Sequence, residues 1–229
     1  MIFNTGERVV FIGDSVTEYG HGMPVGEGLF EGVGSGYVRV VENFINVFYP
    51  ERTIRISNTG ISGNNILDLK NRWERDLLDL HPDWVSICIG INDVWRQFDS
   101  PALKEQHVDP DVYEKTYREL IERTLPHVKG ILLMTPYYIE RQKEDPMRRR
   151  MDEYTGITKK LAAEYGLRCV DLQKAFDDFL QFRHSSFLAW DRVHPSQAGC
   201  FLMGVEFLRQ AEFDFSRLSG AERGERALR

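Results

Sequence analysis

The feature that most constrains this sequence is a repeated change of hydrophobic period. Short, mostly continuous apolar runs alternate with longer segments whose apolar residues recur every three or four positions. The runs are VVFI at 9–12, TIRI at 53–56, WVSICI at 84–89, ILLM at 131–134 and CVDL at 169–172. A run that stays apolar on consecutive residues suits a parallel strand covered on both faces. Between the runs, Tyr37, Val40, Val41, Phe44, Val47 and Phe48 form one stripe over 36–49. Ile66, Leu69, Trp73, Leu77 and Leu80 form another over 65–80. Further helices are predicted over 110–127, 146–165 and 196–211, with a shorter one near 172–182. Pro110 and Pro146 fit first-turn positions of two of them. Alternating strands and helices imply right-handed crossovers and an α/β three-layer α/β/α sandwich. In such sheets, sites form at the carboxyl ends of the strands.

The stretch 95–109 is predicted to be a long loop. So is 18–35, which holds Gly20, Gly22, Gly26, Gly28, Gly32 and Gly34. The ordinary reading of 18–35 is an irregular surface connection; its position invites a second reading as a rim over a site. With 229 residues the chain fits one domain, expected over 1–215, with a polar tail over 216–229.

The net charge of −6 disfavours nucleic acid, whose phosphates need a basic surface. Cys88, Cys169 and Cys200 are odd in number, widely spaced and free of any C-x-x-C pairing. They read as small packed residues of a reducing compartment. The start, MIFNTG, carries neither a basic segment nor an apolar one, and no apolar run approaches membrane-spanning length. A cytoplasmic protein with no membrane partner is expected. His21, His81, His107, His127 and His184 show no ligand spacing, and H-E-x-x-H is absent, so neither metal nor cofactor is expected. Arg148, Arg149 and Arg150 read as a solvated helix face.

Four short blocks fall at predicted carboxyl strand ends or beside them. Gly13-Asp14-Ser15 closes the first strand. A serine there is exposed at the working edge of the sheet, although taken alone Ser15 or Asp14 reads as a helix cap. Asp191-Arg192-Val193-His194-Pro195 supplies an imidazole with a carboxylate three residues before it. A serine hydroxyl needs a base, and histidine, with an ordinary pKa of about 6.5, is suited to that task. The blocks 58–64 (NTGISGN) and 90–93 (GIND) follow the second and third strands. An acyl-transfer site needs preorganised donors for the developing oxyanion. The Ser15 and Gly63 N–H groups and the Asn92 amide fit that need. Each block alone reads as a turn or cap; all four together supply nucleophile, oxyanion donors, orienter and base.

This ordered set resembles the SGNH, or GDSL-type, hydrolases over residues 8 to about 210. The resemblance implies a flavodoxin-like sandwich with five parallel strands, and metal-free ester hydrolysis. The stretches 28–37, 91–97, 145–149 and 189–195 look more narrowly like the intracellular acetylxylan esterases of that superfamily. Those act on small acetylated xylo-oligosaccharides and form homo-oligomers, octameric in some cases, which is the assembly the resemblance implies here. Asp14, Trp95 and Trp190 adjoin the blocks and are candidates for binding substrate. For either tryptophan the competing reading is core packing. Asp93 reads as structural. Two other functions remain open on sequence. One is a lysophospholipase or thioesterase, which needs a long apolar acyl groove. The other is a non-catalytic flavodoxin-like binding module, though the loop Asp14-Ser15-Val16-Thr17-Glu18 is acidic and lacks a phosphate cradle.

Overall fold

The computed structural model describes residues 1–219 apart from Leu29 and Glu31. Five strands pair in parallel in the order β2-β1-β3-β4-β5. They are β1 (Arg8–Gly13), β2 (Arg55–Asn58), β3 (Trp84–Cys88), β4 (Gly130–Met134) and β5 (Arg168–Val170). Val9 lies opposite Ile56, Val10 opposite Val85, Ile87 opposite Leu133, and Leu133 opposite Cys169. Phe11, Ile12, Val85, Ile87, Leu132 and Leu133 are fully buried, as continuous apolar strands require.

Eight α-helices connect and cover the strands: α1 (Ser15–Glu18), α2 (Tyr37–Phe48), α3 (Ile66–Asp76), α4 (Ile91–Asp99), α5 (Pro110–Thr124), α6 (Pro146–Glu164), α7 (Leu172–Leu180) and α8 (Gln197–Gln210), counted among the described residues. α2 packs on α8, which also meets α7 and β5. α5 lies against α3 and α6, and α4 packs on α6. These two groups form the outer layers of the sandwich. The chain moves from β1 outward to β2, then returns past β1 to β3. That reversal opens a crevice at the carboxyl ends of β1 and β3, where doubly wound sheets place their sites.

Local chemistry sets the element ends. Asn65 and Asp68 form a reciprocal capping box at the start of α3, satisfying otherwise orphaned N–H groups. Trp73 of α3 is buried and donates from its indole N–H to Thr124 of α5 at 3.0 Å. Gly13 is required by space: a Cβ there would lie 2.3 Å from the Cys88 carbonyl oxygen and 2.4 Å from Thr17 Oγ1. Its absence lets β1 turn into α1 while still touching the end of β3.

Four expectations are corrected or refined. The second strand runs over Arg55–Asn58, two residues later than its apolar run, because Asn58 pairs in the sheet. The predicted loop 95–109 begins inside a helix, since α4 carries Trp95 through Asp99. Its inward face includes Asn92 and Asp93, polar residues that hide the helical period. Arg148 is no solvated residue: it is 2% exposed and holds Asp177 and Asp152 by ion pairs. The expected tail is folded at its start. Phe215–Ser219 forms a short 3-10 turn, and Arg217 donates to the Phe48 carbonyl at 2.7 Å. Residues 220–229 of that tail lie outside the described residues. No helix among the described residues is long and apolar enough to cross a membrane.

Candidate active site

Asp14 caps α1 by accepting from the Val16 N–H at 2.9 Å, and Ser15 is the first helical residue. This turn lifts the Ser15 hydroxyl out of the end of β1. The Oγ lies 2.8 Å from His194 Nε2, across a sequence separation of 179 residues. His194 Nδ1 lies 2.6 Å from Asp191 Oδ2. A carboxylate only accepts, so the Nδ1 position carries the proton and Nε2 is left to accept the serine O–H. The Asp191 carboxylate also accepts the N–H groups of Val193 at 2.9 Å and His194 at 2.8 Å. Burial works against its charged form, but these bonds, led by the one from the His194 ring, hold the carboxyl below its usual range. The histidine and aspartate side chains remain 38% and 41% exposed, so the dyad opens to solvent.

The loop carrying the dyad is fastened from several elements. Tyr137 donates to the Val193 carbonyl at 3.0 Å, and the Ile139 N–H donates to the Arg192 carbonyl at 2.9 Å. Arg192 pairs with Glu140 at 2.6 Å. Tyr19, just after the nucleophile's helix, donates to the Pro195 carbonyl and so joins the two halves of the site.

The expected oxyanion donors come to the same edge. Among the described residues the N–H groups of Ser15 and Gly63 donate to no protein acceptor. Gly63 has φ +81° with open space where a Cβ would be, so backbone conformation, not crowding, calls for glycine. Asn92 donates from Nδ2 to the Asn64 carbonyl at 3.0 Å, which commits one of its two amide protons. Glu18 accepts from the N–H and the hydroxyl of Ser62, bracing the residue before Gly63. Arg72 of α3 is 7% exposed and ties the edge together from below. It donates to the carbonyls of Gly13 at 2.8 Å and Thr59 at 2.6 Å, to Asn64 Oδ1 at 2.7 Å, and to Asp76 at 3.1 Å. Asn58 adds bonds to the Thr17 and Val33 carbonyls at 2.6 and 2.9 Å. His21, in the rim loop, bridges the Gly22 and Gly60 carbonyls at 2.8 Å each, a structural place.

Two carboxyls lie buried behind the edge. Burial pushes Asp14 up to about 7, against the pull of the Val16 N–H and the charge of His194. Burial pushes Asp93 up to about 7 as well, opposed by the Ile66 N–H and aided by the negative charge of Asp14. Each has one buried carboxyl oxygen without a protein partner. Asp14 therefore stands behind the nucleophile and is fully buried. Trp95 packs edge-on against the His194 ring with centroids 5.6 Å apart, which places it at the site. Trp190 is 92% exposed, so it is no core residue of the isolated chain.

Sequence reasoning missed Glu18, Asn64, Arg72 and Arg96. An arginine or glutamate at ordinary helical spacing reads as a solvated residue. The one available signal for Arg72 was Asp76 at i+4, and such pairs are common on exposed faces.

A serine, a histidine and an aspartate hydrogen-bonded in series, at the switch point of a parallel sheet, are the layout of a serine hydrolase. Residues 11–200 match the GDSL-like lipase/acylhydrolase family, and this chain belongs to that family. An acetylxylan esterase from Geobacillus stearothermophilus is 51% identical over 217 residues, covering 95% of this chain and 99% of that protein. The crystal structure of Axe2, an acetylxylan esterase from the same organism, aligns with a TM-score of 0.92 at 51% identity, covering 93% of this chain and 98% of that one. Catalytic mutants of Axe2 designated S15A, D191A and H194A align with the same score. LAE5, an alpha/beta hydrolase enzyme from the metagenome of Lake Arreo in Spain, aligns with a TM-score of 0.90 at 47% identity, covering 93% and 98% of the two chains. The five-stranded sandwich is thus the SGNH hydrolase fold that the sequence blocks implied.

Proposed function

We propose that this protein is a serine esterase that removes acetyl groups from acetylated xylo-oligosaccharides, with Ser15 as nucleophile, His194 as base and Asp191 as its orienter. One observation carries the reading: the continuous hydrogen-bond chain from Ser15 Oγ through His194 to Asp191, in a homologue of an acetylxylan esterase. His194 Nε2 takes the serine proton as Oγ bonds to the acetyl carbon. The carbonyl oxygen becomes an oxyanion, received by the Ser15 and Gly63 N–H groups and the free Asn92 amide proton. Collapse of the intermediate breaks the bond to the sugar oxygen, which takes the proton from His194. Water, deprotonated by the same imidazole, then attacks the acetyl-enzyme; acetate leaves and Ser15 regains its proton. Asp191 stabilises the imidazolium formed in each half-reaction. A dyad open to solvent suits a bulky sugar leaving group. Trp95 beside His194 is a wall for the acetyl group or the sugar.

Ser15→Ala and His194→Ala are expected to lower kcat on a chromogenic acetate by about 10⁴-fold or more. Near-normal turnover in either variant refutes the assignment. Hydrolysis slows on acidification because an imidazolium cannot accept the serine proton; a flat profile from about pH 8 to about pH 5 contradicts histidine as base. Incubation with acetylated xylo-oligosaccharides is expected to release acetate. A series of longer acyl chains is expected to lose rate, and preference for long acyls points to a lipid or thioester substrate instead.

Three free cysteines support a cytoplasmic, reducing setting. Exposed Trp190, Phe182 and Phe187 support a homo-oligomer. Light scattering of the purified protein measures the assembly, and a mass of one chain contradicts it.

A further inference from the structure

We propose that Arg96 is a positioning residue for oxyanion stabilisation: it fixes which end of the Asn92 amide faces the nucleophile. The inference rests on the esterase reading above. Arg96 lies one turn after Asn92 on α4, and its Nη2 donates to Asn92 Oδ1 at 3.0 Å. The other end of the amide, Nδ2, donates to the Asn64 carbonyl at 3.0 Å.

A primary amide can sit either way round in a pocket of this shape. Turned over, Asn92 would set its NH₂ against a guanidinium and its oxygen against a carbonyl, two repulsive contacts in place of two bonds. The observed orientation keeps one Nδ2 proton on Asn64 and leaves the second for the oxyanion. The guanidinium also draws charge from Oδ1, which makes that remaining N–H a stronger donor.

Arg96 is itself held in place. Its guanidinium lies 4.8 Å from the Trp95 ring centroid, and it pairs with Asp99 one turn further on. Trp95 packs on the His194 ring in turn, so the ring on which the Arg96 guanidinium rests is itself held from its other side. Arg72 acts from the opposite end, since its Nε holds Asn64 Oδ1 and so steadies the carbonyl that receives Asn92. Of the two arginines, Arg96 is the more exposed, at 26% of its side chain, and its removal is the better tolerated by the fold.

The test is a kinetic cycle on a chromogenic acetate with wild type, R96M, R96K, N92A, N92A/R96M, N92A/R96K and S15A. R96M is expected to lose roughly tenfold in kcat with KM within about twofold, the size of one charge-assisted hydrogen bond. R96K, a point cation without the planar fork, is expected to fall between R96M and wild type. In the N92A background R96M is expected to cost less than about twofold, because the group it positions is gone. Three results overturn the proposal: wild-type kcat in R96M, a change confined to KM, or the full tenfold loss repeated on N92A. If R96M does not fold, R96K measured with and without N92A makes the same comparison. Inactive wild type, or active S15A, sinks the esterase reading itself and is distinguished from failure of the Arg96 role.

Discussion

Asp14 adjoins the nucleophile in sequence yet is fully buried behind it, and its titration bears on stability. An unfolded carboxyl near 3.8 releases its proton early, whereas the folded one holds it up to about 7. Between those values the folded chain binds the extra proton, so this group's contribution to stability falls as pH rises from about 4 to about 7. Asp14→Asn keeps the cap to Val16 and removes the titration. Its stability relative to wild type is expected to improve over that window by an amount on the order of 1–4 kcal/mol, read from urea unfolding at several pH values. A constant difference across the window contradicts the buried, protonated state. Gly63 gives a second residue-scale prediction. With φ +81° and empty space at its Cβ position, Gly63→Ala is expected to cost about 1–2 kcal/mol through conformation alone. Esterase kcat drops with it if the peptide turns its N–H away. At this scale Ser15, Gly63, Asn92, Asp191 and His194 were legible as candidates, because the first three follow the ends of β1, β2 and β3 and the histidine has a carboxylate three residues before it. Glu18, Arg72 and Arg96 were not, because their roles depend on which way a helix faces, and a lone charged residue carries no sign of that.

At the scale of elements, α3 and α4 present the residues that shape the oxyanion edge. Arg72 is the main tie, linking α3 to the ends of β1 and β2. Arg72→Met is expected to destabilise the protein by about 3–5 kcal/mol, since Asp76 is left buried with Arg75 its remaining partner and several carbonyls lose their donor. Denaturant unfolding measures this, and a loss below about 1 kcal/mol shows that water replaces the guanidinium without strain. The element pattern itself was largely readable. Every strand lies on or within two residues of a short, mostly apolar run, and α2, α3, α5, α6, α7 and α8 lie within a few residues of their predicted spans. α4 was only begun. Gly90 offers no side-chain cap, and two of its buried positions are Asn92 and Asp93. A helix that faces an active site breaks the hydrophobic pattern because the site, and not the core, chooses its inward residues.

The molecule as a whole assembles its chemistry from the two ends of the chain. Ser15 opens the helix after the first strand, while His194 precedes the last α-helix, and parallel pairing of all five strands stands between them. Loss of esterase activity on heating is therefore expected to coincide with loss of helical circular dichroism; activity that vanishes well before the fold melts points to local opening of the 188–195 loop. The separation of 179 residues between nucleophile and base has a further consequence during synthesis. A ribosome makes the serine long before the histidine, and a product truncated anywhere between the two carries the first without the second. On the proposed mechanism, translation interrupted between the two leaves no hydrolytic fragment, and activity in a cell-free reaction is expected only after the chain has grown past His194.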